Sequence, residues 1–408
     1  MTARRGRQCQ AADVEVQTAL SFQGASYISR KRIVILVAAA VLVILGAGFS
    51  GASWYYAGLI EDGGLKIDRS REYEVRVVSI GGDAITLDAP DDDLRPGVLG
   101  LEWPGGYARA DGALAPDGDF EVRGYRLVIG ELSAGDMVRF DKQAFFDDPL
   151  AARGVPFTEV TYQSPLGPLD AWQVDAAGGT SGETPGGIWM IYVHGKGSDR
   201  GTGLRILPTV RDAGLQSLII SYRNHETSPD DPGGRYQYGL TEWRDLEGAI
   251  RYALDNGAES VVLAGWSMGG AIVTSFMYES ALAGEVDAII LDSPVFDFEE
   301  AVNLGAEQRS LPGILTTAAK WVADRRFGID WAGMDYLERA DELRPPILII
   351  HGDEDETVPI STSQKLADIR PDIVTLLRVP GASHTSSWNA APDLYEQAVA
   401  DFLANLDR

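Results

Sequence analysis

A long apolar run near the amino end limits most strongly how this chain can fold. No charged residue lies between Ile33 and Ile60, and an α-helix of that length is enough to cross a hydrocarbon core of about 30 Å. A core helix of a soluble domain would show polar residues at helical spacing, whereas this run is apolar all round. We therefore predict a transmembrane helix over residues 30–60. A cleaved signal peptide is the alternative, because Ser50 and Ala52 could supply small residues at a cleavage site.

Basic residues at the start of the run indicate its orientation. Arg30, Lys31 and Arg32 abut the run, and the positive-inside rule places such residues in the cytoplasm. We therefore expect a single-pass protein of the cell membrane, with everything after Ile60 outside the cytoplasm. Residues 1–29 lack hydrophobic periodicity, which predicts a disordered cytoplasmic tail.

Charge and cysteine content exclude further classes of protein. The 408 residues carry a formal net charge of -25, whereas binding to nucleic acid phosphates needs a surplus of Lys and Arg. Nucleic acid is therefore not predicted as a partner. Cys9 is the single cysteine, so the chain can form no intramolecular disulfide and no Cys-rich zinc or iron–sulfur site.

Residues 68–150 show the pattern of a small antiparallel β domain. Short alternating runs, among them E-V-R-V-V-S-I, D-A-I-T-L and M-V-R-F, are separated by turns rich in Gly, Pro and Asp. Period-two alternation bounded by such turns is typical of strands. The sequence does not indicate which partner this β-rich region contacts.

Residues 157–408 alternate between apolar strands and helical segments. This alternation predicts βα units around a mostly parallel sheet, that is, an α/β fold. The segments F-T-E-V-T-Y and L-D-A-W-Q-V predict an antiparallel hairpin at the sheet edge. Residues 295–342 are rich in Trp, Leu, Ile and Phe, and we expect a helical cap that lies over the carboxyl ends of the strands and shapes a substrate pocket. The predicted strands after the hairpin end at Val193, Tyr222, Ala264, Leu291, Ile350 and Val379.

One short motif indicates chemistry. Residues 265–269 read G-W-S-M-G, directly after an apolar strand and directly before a helical run, which is the context of a nucleophile elbow. In such an elbow the Ser267 hydroxyl projects from the sheet, beside Trp266. Gly265 and Gly269 are needed because a β-carbon there would collide with the neighbouring strand and helix. We therefore predict Ser267 as the nucleophile.

A serine hydroxyl needs a base at neutral pH, and imidazole suits that task. The chain has four histidines. His194 and His225 precede the serine, and we expect His194 to shape an anion-binding loop and His351 to order the turn that it opens. His384 follows both the serine and the acidic candidates, which is the order Ser, acid, His of nucleophile-elbow enzymes. We therefore predict His384 as the base.

The base in turn needs an acid that fixes its tautomer and stabilises the imidazolium. Four carboxylates lie in the loop that begins at His351, and a fifth follows an earlier strand. Physical reasoning alone does not separate these candidates. They are Asp353, Glu354, Asp355, Glu356 and Asp292.

The negative oxygen of a tetrahedral intermediate needs preorganised amide donors. One predicted donor is the amide of Met268, at the start of a helix whose dipole favours an anion. The second is the amide of Lys196 or Gly197, in the loop H-G-K-G. This chemistry requires neither a cofactor nor a metal ion, and we predict none.

Several motifs together resemble the α/β-hydrolase superfamily. They are H-G-K-G-S, S-Y-R-N-H, E-W-R-D-L, G-W-S-M-G-G, L-D-S-P, H-G-D-E-D-E-T-V-P and G-A-S-H-T-S-S-W-N. The chain looks like the membrane-anchored actinobacterial branch, which resembles acylaminoacyl-peptidase and lysophospholipase-like serine hydrolases. The resemblance covers about residues 157–408 and implies an α/β-hydrolase fold. It also implies Asp355 as the acid, because H-G-D-E-D-E-T-V-P is similar to the H-G-x-x-D-x-x-V-P turn of that superfamily.

These observations favour hydrolysis of a carboxylic ester or thioester through an acyl-serine intermediate, with Ser267, His384 and Asp355 as the catalytic residues. The substrate would be a small acyl ester. It would be a short peptide if the protein is a peptidase of the acylaminoacyl-peptidase type, an alternative that the additional β domain supports. A second alternative is an inactive, membrane-anchored scaffold. The fold itself does not choose the substrate.

Overall fold

The computed structural model describes residues 30–70, 72–88, 97–117, 120–178, 187–225 and 227–406. The chain forms two compact units, one that ends at Ser53 and one that begins at Trp54. The predicted cytoplasmic tail, residues 1–29, lies outside the described residues.

A long helix, α1, occupies Arg30–Ile60. Large apolar side chains of its first part are exposed, for example Leu42 at 69% and Val43 at 70%. Such surface is unfavourable in water and favourable in hydrocarbon. The helix is long and apolar enough to cross a membrane, as the sequence predicts.

A closed six-stranded antiparallel barrel follows this helix. Strands β1 to β6 are Val75–Gly81, Ala84–Asp88, Leu99–Trp103, Gly106–Asp117, Phe120–Ile129 and Met137–Asp141. Alternate apolar residues such as Val75, Val77, Leu99 and Leu101 are buried in one core. The order of neighbours is β1-β2-β5-β4-β3-β6, and β6 closes the barrel by pairing with both β1 and β3. The sequence indicates antiparallel strands, but closure depends on these pairings between distant segments.

An eight-stranded sheet forms the centre of the α/β region. Strands β7 to β14 are Thr158–Ser164, Gly167–Val174, Ile188–Val193, Gln216–Ile220, Ser260–Trp266, Val286–Asp292, Ile347–Gly352 and Val374–Val379. Their order is β14-β13-β12-β11-β9-β10-β8-β7. The β7–β8 hairpin is antiparallel and lies at the edge, as predicted, and the strands from β9 to β14 pair in parallel. The predicted α/β fold is therefore confirmed.

Helices cover both faces of this sheet. After the short helix α2, Pro149–Arg153, helices α3 to α10 are Leu207–Asp212, Trp243–Asp255, Met268–Glu279, Phe298–Gln308, Gly313–Phe327, Ile360–Ile369, Ser387–Ala390 and Pro392–Ala404. Helices α4 and α5 share a core with Ile191 and Leu263, whereas α3 and α10 share the opposite core with Met190 and Val262. Burial on both faces explains why the central strands are continuous apolar runs.

Residues 295–342 contain the helices α6 and α7, in line with the predicted helical insertion. Phe298, the first residue of α6, packs against Tyr238 with ring centroids 4.3 Å apart. Near the end of α7, the Arg326 guanidinium lies 3.9 Å from the ring centre of Trp54 and donates to the Trp54 carbonyl oxygen at 2.8 Å. The insertion therefore packs against the last turns of α1.

Candidate active site

Ser267 lies on a sharp turn between a strand and a helix. Strand β11 ends at Trp266 and helix α5 begins at Met268. The serine backbone has φ 52° and ψ -117°. A non-glycine residue held in such a sparsely populated region stores strain of about 1–3 kcal/mol. This turn has the strand-to-helix geometry of a nucleophile elbow.

Both glycines of the motif are required by close backbone contacts. A β-carbon on Gly269 would lie 2.1 Å from the Val193 carbonyl oxygen, and one on Gly265 would lie 2.7 Å from the Gly269 carbonyl oxygen. Atoms cannot approach so closely without displacing the strand or the helix. Trp266 is buried, and its ring stacks on that of Tyr192. The residues around the serine therefore hold the turn in one geometry.

Two hydrogen bonds join Ser267, His384 and Asp355. The Ser267 hydroxyl oxygen lies 2.8 Å from His384 Nε2, and His384 Nδ1 lies 2.8 Å from Asp355 Oδ2. The three residues follow strands β11, β14 and β13, whose carboxyl ends meet at one edge of the parallel sheet. In this arrangement Nδ1 can donate to the carboxylate while Nε2 accepts the serine proton.

Asp355 is held as an ionised acceptor. Its side chain is fully buried, and its Oδ1 accepts from the amides of Thr357 and Val358 at 2.9 and 2.8 Å. Burial raises the pKa of Asp355, but hydrogen bonds from His351 and His384 lower it by more. The pKa of Asp355 therefore lies well below its usual range. His351 Nε2 lies 3.1 Å from Asp355 Oδ2, where it can help to order this turn.

The other predicted acids occupy different surroundings. Asp353 pairs with Arg378 at 2.7 Å, and Glu354 and Glu356 are exposed. Asp292 is buried, and burial raises its pKa because the charged form is desolvated. Within the part of the chain that the structure describes, the carboxylate hydrogen-bonded to the imidazole is that of Asp355.

His194 is buried at the start of the loop H-G-K-G. Its Nδ1 lies 2.9 Å from the Gly195 carbonyl oxygen, and its ring stacks on Tyr222 at 4.3 Å. Burial and the neighbouring His225 lower the pKa of His194 to about 3, so the ring is neutral at physiological pH. A neutral ring can donate from Nδ1 to that carbonyl oxygen, which stabilises the shape of the loop.

The predicted amide donors belong to two segments beside the serine, the start of α5 and the loop after β9. Met268 begins α5, where backbone N–H groups have no acceptor within the helix. Lys196 and Gly197 line the same cavity as Ser267. Gly197 has φ 66°, a left-handed conformation that favours glycine. A β-carbon on Gly195 would lie 3.2 Å from the Ser267 β-carbon, so this loop approaches the nucleophile closely.

The segment that follows α1 packs against the same loop. The Lys196 ammonium donates to the carbonyl oxygen of Gly63, and burial lowers the pKa of Lys196. The Tyr238 hydroxyl donates to the Gly64 carbonyl oxygen at 3.0 Å. Gly63, just beyond the predicted membrane span, therefore helps to hold the loop H-G-K-G, which contains the second predicted amide donor.

The barrel supports the loop that contains His384. Lys142, directly after β6, donates from Nζ to the His384 carbonyl oxygen at 2.9 Å. Arg205 donates to the Thr385 carbonyl oxygen at 3.0 Å, and Asn389 donates to the Lys142 carbonyl oxygen at 2.8 Å. Sequence reasoning missed Lys142, Arg205 and Asn389, because no motif marks them and they act between segments that are far apart in the chain.

A cavity of about 840 Å³ lies beside Ser267 and His384. Its walls come from the barrel and the residues just after it, from residues 68–70, from Trp172, and from the segments that follow β9 and β10. Residues 295–342 contribute nothing to these walls. The prediction that the helical insertion shapes the pocket is therefore wrong. The insertion packs against the end of α1 instead, and the barrel occupies the place expected for a cap.

Comparison with known proteins identifies the family. The sequence matches the alpha/beta hydrolase family over residues 185–398, just over half of the chain. The uncharacterized protein YqkD of Bacillus subtilis is 27% identical over 231 residues, which cover 55% of this chain and 73% of YqkD. The monoacylglycerol lipase of Mycolicibacterium smegmatis is 25% identical over 255 residues, which cover 53% of this chain and 84% of the lipase.

Two solved structures are similar to this chain at low sequence identity. The Pyrococcus furiosus esterase Pf2001 aligns with a TM-score of 0.49 and 18% identity, over 64% of this chain and 95% of the esterase. A puromycin-hydrolyzing peptidase of Mycobacterium tuberculosis aligns with a TM-score of 0.49 and 17% identity, over 80% of this chain and 47% of the peptidase. The membrane-anchored actinobacterial branch stays a prediction. The family match over residues 185–398 shows that this chain belongs to the alpha/beta hydrolase family.

Proposed function

We propose that this protein is a serine hydrolase that cleaves a carboxylic ester or thioester through an acyl-serine intermediate. The observation that most directly supports this proposal is the pair of 2.8 Å hydrogen bonds from Ser267 to His384 and from His384 to Asp355. A serine hydroxyl becomes nucleophilic when an adjacent base accepts its proton. A buried carboxylate behind the base stabilises the imidazolium that forms.

The proposed reaction has two half-reactions. Ser267 Oγ attacks the acyl carbonyl carbon while His384 Nε2 takes the hydroxyl proton, and the imidazolium then gives that proton to the leaving alcohol or thiol. His384 next activates a water molecule, which hydrolyses the acyl-serine and restores the hydroxyl. In both halves the oxyanion would accept from the amide of Met268 and from that of Lys196 or Gly197. Such donors contribute about 3–4 kcal/mol each to transition-state stabilisation.

A fluorophosphonate probe tests this proposal, because it phosphonylates an activated serine hydroxyl. We expect one covalent adduct on the full-length protein in detergent. Trypsin releases residues 252–309 as one peptide, and fragmentation of that peptide in the mass spectrometer should locate the adduct on Ser267. Ser260 lies at the other end of strand β11, where its hydroxyl donates to the Asp287 carboxylate instead of to a histidine, and it should stay unmodified. Absence of an adduct, or an adduct on another serine, would contradict the proposal.

We further propose that α1 anchors the protein in the cell membrane with its amino end in the cytoplasm, because basic residues precede the apolar run. Cys9 is the single cysteine and reports on this orientation. A membrane-impermeant maleimide should leave Cys9 unlabelled in intact cells and label it after permeabilisation. As a control, a Cys9→Ser, Thr317→Cys variant places a thiol on the exposed side of α7 and should be labelled in intact cells. The reverse pattern would overturn the orientation.

A further inference from the structure

The wall of the cavity beside Ser267 lacks aliphatic side chains. None of the described lining residues is Ala, Val, Leu, Ile or Met. The apolar side chains of the wall are aromatic, among them Tyr107, Phe146 and Trp172, and the other lining residues are charged, amide, hydroxyl, histidine or glycine residues. A fatty acyl chain binds by burying methylene groups, each of which gains about fourfold in affinity. This wall offers few contacts of that kind.

The cationic groups of the wall already have partners within the protein. Six lining side chains are cationic; three of them form ion pairs and three donate to backbone carbonyl oxygens. The ion pairs are Arg139–Glu102, Arg69–Asp230 and Arg200–Glu159, and the donors to carbonyl oxygens are Lys142, Lys196 and Arg205. An anionic substrate would have to compete with these partners. A neutral substrate would not, and its hydroxyl groups could use the remaining donor and acceptor capacity of the wall.

Neutral polar groups bridge the barrel and the loop beside the serine. The Gln143 side-chain amide donates to the Ser198 hydroxyl at 2.9 Å, and the Ser198 hydroxyl lies 2.7 Å from that of Thr202. Amide and hydroxyl groups can both donate and accept hydrogen bonds, so they suit a ligand that bears several hydroxyl groups. The cavity volume of about 840 Å³ lies in the range of small-molecule sites, about 300–1,000 Å³.

We propose that the substrate is a short-chain acyl ester of a neutral, hydroxyl-rich alcohol, that is, a polyol or a saccharide. This proposal rests on the ester hydrolysis proposed above and adds the substrate class. The aromatic rings would pack against the C–H faces of the alcohol, and the amide and hydroxyl groups would bind its hydroxyls. A long-chain lipid ester is disfavoured, because the wall lacks the aliphatic surface that its acyl chain requires.

Two matched pairs of substrates test this proposal on the full-length protein in nanodiscs. Glucose 6-acetate and hexyl acetate share the acyl group and differ in the polarity of the alcohol. Monoacetylglycerol and monolauroylglycerol share the alcohol and differ in acyl length. We expect kcat/KM to be at least about tenfold higher for glucose 6-acetate than for hexyl acetate, and for the acetyl than for the lauroyl glycerol ester. Equal values, or a preference for hexyl acetate or the lauroyl ester, would overturn the proposal.

A variant of the wall gives a second measurement. Gln143→Met removes the amide and introduces an apolar side chain of similar length, so the ratio of kcat/KM for glucose 6-acetate to that for hexyl acetate should fall about threefold to tenfold. Gln364→Met makes the same change on the exposed surface of α8 and should leave the ratio unchanged. An unchanged ratio in a folded Gln143→Met protein counts against the proposal, and if that variant does not fold, the wild-type ratios decide.

Failure of the substrate class is distinguishable from failure of ester hydrolysis. If the fluorophosphonate adduct forms on Ser267 but the polyol esters are not preferred, the substrate class is wrong and the serine hydrolase proposal stands. If neither an adduct nor turnover of p-nitrophenyl acetate is observed, both proposals fail.

Discussion

Replacing Ser267 by alanine should lower kcat for p-nitrophenyl acetate by about 10⁴- to 10⁶-fold, because the variant lacks the nucleophile that forms the acyl-enzyme. KM should change little, since the remaining walls of the cavity are intact. Residual turnover would come from the amide donors and from binding alone. The measurement is steady-state release of p-nitrophenol by the wild-type protein and by Ser267→Ala, both full length and in detergent.

Ser260→Ala is the matched control for this substitution. Ser260 lies at the start of β11, where its hydroxyl is exposed and donates to the Asp287 carboxylate, whereas Ser267 follows the end of the same strand. This control should retain kcat within about twofold. Turnover in Ser267→Ala within tenfold of the wild-type value would exclude Ser267 as the nucleophile.

Replacing Asp355 by asparagine should lower kcat by about 10⁴-fold at neutral pH. The Asp355 carboxylate accepts from His384 Nδ1 at 2.8 Å, which keeps Nε2 free to accept the serine proton. An asparagine amide can donate to Nδ1 instead and favour the tautomer with the proton on Nε2, which cannot act as the base. Because the two side chains have similar volume, circular dichroism should show that the variant is folded. A fall in kcat of the folded variant then reports on the reaction itself and not on unfolding.

Asp353→Asn provides the control for the acid. Asp353 lies two residues earlier in the same loop and pairs with Arg378 instead of His384. Exposed ion pairs contribute little to stability, so this variant should keep nearly full activity. If Asp355→Asn were instead as active as Asp353→Asn, the buried Asp292 would become the leading candidate for the acid.

The barrel region contacts the loop and helix that follow His384, although the two are more than 240 residues apart in the chain. Besides the Lys142 contact, the Val98 amide donates to the Asn389 carbonyl oxygen at 3.1 Å, and the rings of Phe145 and Trp388 lie 5.5 Å apart. These contacts join the barrel region and the residues just after β6 to the loop and helix around and after His384. A displacement of the barrel would therefore change both the cavity and the position of the imidazole.

Local patterns in the sequence are sufficient to predict most of the secondary structure around the site. The strand before Ser267 and the helix after it are apolar segments joined by G-W-S-M-G. The observed β11 ends at Trp266, close to the predicted end at Ala264, and α5 begins at Met268, directly after the serine. Periodicity works here because each central strand is buried on both faces. It gives no information on which distant segments pair, so the closure of the barrel was not predicted.

The amino-acid sequence by itself determined the apolar span, the α/β alternation and the short list of residues suited to nucleophilic chemistry, because each depends on neighbours within a few positions. Only the tertiary structure decided that Asp355, rather than Asp292 or Asp353, lies against the imidazole. It also decided that the barrel, rather than residues 295–342, contributes to the cavity wall. The physical reason is that these contacts depend on how complete elements pack together, and packing between distant segments leaves no periodic pattern in the chain.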